Sequence, residues 1–162
     1  MSTMDRGWKT LDGNVIESLA DRIKSDVENI PEDIPIKIYI GCDSQLKSRK
    51  VTFIEAIAIR KVGKGAICYF KKHVEKYGND IRNRLWKEVY KVVDTAQWLE
   101  DDILADLGLC IEEIHADLNL DEKYLSSSVV QQAIGYIKAM GYDYQIKPGS
   151  WCASKIADRK SK

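Results

Sequence analysis

Three β-patterned segments in quick succession constrain this chain more than any other feature. They are residues 36–43, 51–60 and 66–73. Ile38, Tyr39 and Ile40 in "IYIGCDSQ", the alternating apolar residues of "VTFIEAIAIR", and "AICYFKKH" each read as a strand. The connections are too short for a crossover helix, so the three strands run antiparallel to their neighbours. "KVGKG", with two glycines, is the second turn.

Helices and strands then alternate. Over 80–100, Ile81, Leu85, Val89, Val92, Ala96 and Leu99 form one helical stripe. "LCIEEIHADLN", 109–119, carries a fourth strand. Residues 126–141 form a helix with serines at its start and Gly141 just past its end. "YDYQIKP", 142–148, is a fifth strand. "GSWCASKIADRKSK" closes the chain as a helix, with Ser150 at its cap.

Ahead of the strands, Val15, Ile16, Leu19, Ile23 and Val27 predict a helix over 13–30, stopped by Pro31 and Pro35. The reading is α/β. A mixed five-stranded sheet in the order β-β-β-α-β-α-β-α, flanked by helices, occupies 36–162, and 1–35 is an added N-terminal helical extension.

The 162 residues suffice for one domain with its own core. Lys plus Arg and Asp plus Glu number 25 each, so net charge does not steer the whole chain onto nucleic acid. Polyanion binding would need a local basic patch or bound metal. Cys42, Cys68, Cys110 and Cys152 are far apart in apolar surroundings and read as buried thiols of a reducing compartment. "MSTMDRGWKT" lacks the apolar centre of a signal peptide, and no stretch is long enough to span a membrane. A cytoplasmic location is the expectation.

Four acids carry the chemical argument. Asp43 follows the apolar run of the first strand, where by itself it reads as a turn residue, and beside the other acids as a ligand. Asp117 lies near the end of the fourth strand, on one face with His115 and Asn119. Glu88 falls about 50–60° from the centre of the long helix's apolar stripe, with Arg84 one turn earlier as a salt-bridge partner. Asp158 sits on the last helix, one turn after Ser154. Two acids come from strand ends and two from helices covering the sheet. Clustered carboxylates repel unless a cation joins them. Hard oxygen donors suit Mg²⁺ or Mn²⁺, and two such ions can clamp both oxygens of a phosphodiester displacement.

The element order and these acids resemble the ribonuclease H-like fold. "IGCDSQ", "EVYKVVDTAQWL", "IHADLN" and "IKPGSWCASKIADRK" resemble the YkuK-type ribonuclease H-like family over roughly 36–162. In ribonuclease H-like enzymes, acids on the first strand, first helix, fourth strand and last helix bind two divalent ions. The resemblance implies those places for Asp43, Glu88, Asp117 and Asp158, and thus a two-metal nuclease acting on RNA, DNA or hybrid. The alternative is a non-catalytic nucleic-acid- or protein-binding module on the same fold.

Around these acids, Ser44 and Gln45 read as substrate contacts or as turn residues. His115 reads as a proton shuttle, as a partner of a carboxylate, or as a packed strand histidine. Lys147 fits substrate phosphate or solvent, and Ser154 fits orientation of Asp158 or helix capping. The basic runs "KSRK" at 47–50 and "RKVGKG" at 60–65 would track a phosphate backbone if they gathered around the acids.

Overall fold

A computed structural model describes residues 3–76, 81–116, 127–146 and 149–157. Its centre is a long hairpin. Strands β2 (Ile36–Lys47) and β3 (Lys50–Lys61) pair antiparallel from Ile36–Lys61 to Lys47–Lys50. Ser48 and Arg49, at φ of 52° and 63°, make the two-residue turn, whose twist matches the right-handed twist of the strands. β4 (Ala66–Lys76) continues the meander on β3. The expected antiparallel trio is therefore present.

The first strand does not stop at Asp43. "DSQ" looks like a turn by composition, but β3 supplies a pairing partner for each residue: Asp43 faces Ile54, Ser44 faces Phe53, and Gln45 faces Thr52. Long-range pairing overrides the local turn preference of Asp and Ser here.

The remaining elements are α2 (Ile81–Leu99), β5 (Ile111–Ala116), α3 (Ser127–Ala139) and β6 (Tyr144–Gln145). A wider helical turn, Glu100–Leu104, extends α2. A tighter one, Ala105–Leu107, ends at Gly108, whose φ of 68° reverses the chain. Gly141, at φ 94°, ends α3, its N–H bonding to the Lys138 carbonyl at 2.9 Å. β5 and β6 join parallel to β2 and to each other. A closing helical turn, Cys152–Ala157, covers one face.

Among the described residues the sheet has six strands, one more than expected. β1 (Trp8–Thr10) pairs antiparallel with β4, giving the order β1-β4-β3-β2-β5-β6. The N-terminal helix is also shorter than its apolar pattern suggests. α1 spans Leu19–Glu28 and starts at Ser18, whose side chain accepts from the Asp21 N–H at 3.2 Å. Before it the chain turns back at Gly13, φ 89°, and the Ile16 N–H bonds the Trp8 carbonyl at 3.0 Å. Val15 is left 75% exposed instead of joining a helical stripe.

Strand alternation divides the core in two. Ile38, Ile40 and Cys42 of β2, with Phe53, Ile57 and Ile59 of β3, face the helices α1, α2 and α3. Tyr39, Ile54, Ala56 and Ala58 face the other way, toward Cys152 and Trp151. The two small alanines let the closing turn approach closely: the Cys152 thiol reaches the Ala56 carbonyl at 3.5 Å. Cys42, Cys68 and Cys152 are buried free thiols, as expected. Cys110 is exposed, because it lies in the connector before β5.

Candidate carboxylate site

The described β2–β5 pairing runs as far as Cys42–Ala116, and Asp43 is the next residue of β2. Asp43 is buried, 5% exposed, on the face of Tyr39 and Ile54. Glu88, 9% exposed, comes from α2 on the opposite face. Its position at the edge of the α2 apolar stripe, beside Leu85, Val89 and Val92, brings it to the sheet as its helical phase predicts.

Ser44 connects the two elements. Its hydroxyl donates to the Glu88 Oε1 and accepts from the Arg84 Nε at 2.6 Å. Arg84 Nη2 also donates to the Ser44 carbonyl, at 3.3 Å. The expected Arg84–Glu88 association thus runs through a serine hydroxyl of the neighbouring strand. A carboxylate held in this way has a defined orientation before any ligand arrives. In the metal-binding reading proposed below, replacing Ser44 by Ala is expected to weaken Mn²⁺ binding about 10–100-fold, measured by calorimetric titration.

A third acid, Glu55, belongs to this environment. It pairs across the hairpin with Cys42 and accepts a hydrogen bond from the Thr95 hydroxyl of α2. The sequence holds a signal for it: Glu55 is the one charged residue among Val51, Phe53, Ile57 and Ile59, the inward face of β3. Burial pushes its carboxyl above the usual 4.5, while the Thr95 bond, Lys71 and Lys91 pull it back. A carboxyl raised on folding costs stability as pH climbs past its ordinary value. Glu55→Gln, which keeps an acceptor for Thr95, is therefore expected to melt higher than the wild type at pH 7. That advantage should vanish below pH 4.5, where both states of the wild type are protonated. Thermal melts across pH check this.

Cys42 reports how much negative charge converges here. Its thiol is pushed well up, first by burial and then by Glu88, Glu55 and Asp43. It stays protonated and is a poor metal ligand. The oxygen donors of Asp43 and Glu88 fit a hard divalent cation, for which carboxylates are the natural ligands. Among the described residues, no group of three or more His, Cys, Asp or Glu side chains is placed to hold a metal. Asp117, Asn119, Lys147, Asp158 and the side chain of Ser154 lie outside the described residues.

His115 is fully buried and lies on the face of Asp43, opposite Gly41. Its Nδ1 accepts the Cys152 N–H at 3.0 Å, and its Nε2 lies 3.5 Å from Glu113 Oε1. The ring packs against Tyr39 and Trp151, with centroids at 5.1 and 5.2 Å. Burial lowers its pKa, with Glu113 opposing. A neutral ring with its proton on Nε2 satisfies both bonds. His115 thus ties the start of the closing turn to β5. Gln45 is half-buried on β2, on the side of Asp43.

Among the described residues, the basic runs at 47–50 and 60–65 do not come together. "KSRK" forms the β2–β3 hairpin tip, and "RKVGKG" lies at the β3–β4 turn, at the other end of β3. Strand direction separates them, with Asp43 between the two ends.

Comparison with known proteins identifies the family. A family model described as Ribonuclease H-like matches residues 15–162. The chain is 28% identical over 158 residues to YkuK of Bacillus subtilis (strain 168), covering 90% of each. Two solved structures are similar at low identity. The N-terminal RNase H domain of rv2228c from Mycobacterium tuberculosis gives a TM-score of 0.37 at 11% identity, over 78% of this chain and 94% of that one. RNase H1 from Halobacterium salinarum gives 0.38 at 14%, over 76% and 95%. With the family model spanning all but the first 14 residues, the chain belongs to the ribonuclease H-like family.

Proposed function

We propose that this protein is a divalent-metal-dependent nuclease. The observation that carries the reading is that two buried carboxylates from elements far apart in sequence lie at neighbouring positions, Glu88 of α2 being bonded to Ser44, the residue after Asp43. Membership of the ribonuclease H-like family supports a nuclease-type or nucleic-acid-binding role. Asp117, the residue after Ala116 of β5, and Asp158, the residue after Ala157 of the closing turn, are the proposed remaining ligands.

Mg²⁺ or Mn²⁺, as two ions, would supply an activated water and stabilise the departing 3′ oxygen. The chain's own residues hold and orient. Asp43 presents its carboxylate from a strand paired along its whole length, so its backbone is rigid. Ser44 fixes the Glu88 carboxylate, and Arg84 fixes Ser44. Arg84 also adds positive charge beside the acids, which favours approach of a phosphate.

The test is incubation of the purified chain with labelled RNA, DNA and hybrid strands, in Mn²⁺ or in EDTA. Metal-dependent cleavage leaving 5′-phosphate and 3′-hydroxyl ends is expected. Tight nucleic-acid binding without cleavage in any metal would replace this reading with a non-catalytic binding module.

A further inference from the structure

A second candidate site lies at the far end of the sheet. A cleft of about 500 Å³ opens where the β3–β4 turn meets the start of the closing turn, lined by Arg60, Lys61, Gly63, Gly65, Ala66 and Trp151. Arg60 pairs with Lys37, six residues along β2 from Asp43, so the cleft is about 20 Å from the acids.

Its chemistry is distinct. Among the described residues, Arg60 and Lys61 form no ion pair with an acid. Gly63 and Gly65 hold φ of 79° and 87°, and a Cβ at either would meet nothing within 4 Å. The turn backbone therefore stands open to a ligand. Trp151 is half-buried and already oriented. Its ring lies edge-on to Tyr39 at 4.9 Å and to His115 at 5.2 Å. His115 in turn is held by the Cys152 N–H. An aromatic wall held by packing costs little ordering when a planar group docks against it. A flat ring beside an arginine that, among the described residues, has no acid partner matches a nucleotide, with the base stacked and the phosphate paired.

We infer that this cleft binds one nucleotide unit of a single-stranded nucleic acid, with the base against Trp151 and the phosphate at Arg60, which shares the Trp151 face, and Lys61 at the rim adding charge. It rests on the nuclease reading only in that the same strand, a few nucleotides further on, would reach Asp43. On a chain with zero net charge, such a built-in anchor supplies the polyanion affinity that bulk charge does not.

The test is fluorescence anisotropy of labelled ten-nucleotide poly-U and poly-dT, with AMP as competitor, in EDTA so that metal-held binding is absent. Wild type is expected to bind the decamers, more weakly as salt rises. The double variant Arg60→Ala/Lys61→Ala, at surface positions, should bind about tenfold more weakly, with a salt slope lower by one to two charges. Trp151→Leu should lose about tenfold with the slope unchanged, since stacking releases no counterions. Circular dichroism confirms that each variant folds. Unchanged decamer affinity in the folded double variant would overturn the proposal. AMP binding as tightly as the decamers would overturn its assignment to a strand. Cleavage in Mn²⁺ is scored separately on the same proteins. Decamer binding without cleavage leaves the cleft standing and sinks the nuclease reading. Cleavage with decamer affinity unchanged in the double variant does the reverse.

Discussion

Asp43→Asn is expected to abolish metal-dependent cleavage, by about 10²–10³-fold or more, while leaving the fold intact. The substitution is isosteric and removes one charge. Asp43 is buried, and the amide keeps the shape of the carboxylate. In EDTA the variant should therefore melt close to the wild-type temperature. With Mn²⁺ the two should separate. Wild type at about 100 times its dissociation constant gains about 2.7 kcal/mol, and the variant gains little. Paired melting curves with and without Mn²⁺, alongside a cleavage assay, check the prediction. Equal Mn²⁺ stabilisation of both proteins would remove Asp43 from any metal site.

Trp8→Ala is expected to destabilise the protein by about 3–5 kcal/mol, measured by urea unfolding. Trp8 is fully buried, on an edge strand that sequence periodicity does not reveal. Its Nε1 donates to the Met4 carbonyl at 2.8 Å, and Lys71 Nζ lies 5.8 Å over its ring. The same segment is anchored twice more. Asp5 accepts the Ala20 N–H at 2.8 Å, and the Tyr69 hydroxyl of β4 bonds Asp26 of α1. The loss should thus be of core size, and the unfolding midpoint should fall with it. A change below about 0.5 kcal/mol, the size of an ordinary surface substitution, would show that residues before β2 form no part of the cooperative core.

Much of the architecture is legible in the residue pattern. The β2–β3–β4 meander, the long α2 stripe and the Gly141 stop each follow from local chemistry: apolar alternation, a 3.6-residue period and a glycine at positive φ. Other elements escape local reading. Trp8–Thr10 is three residues long, too short for any periodic signal, and exists as a strand because β4 offers an edge. Val15 matches the helical stripe of α1, but the turn at Gly13 and the cap at Ser18 exclude it.

The candidate site divides in the same way. The acids at 43 and 88 stand out in sequence because a charge interrupts or borders an apolar run, and such a charge is costly to bury without a role. The bond from Ser44 to Glu88 spans 44 positions, and neither residue carries a local sign of it. The same holds for the bond from the Cys152 N–H to His115 and for the separation of the two basic runs. Periodicity fixes which face of its own element a side chain occupies. Which side chains of other elements it meets depends on strand order and register, and those are set by the packing of the whole chain.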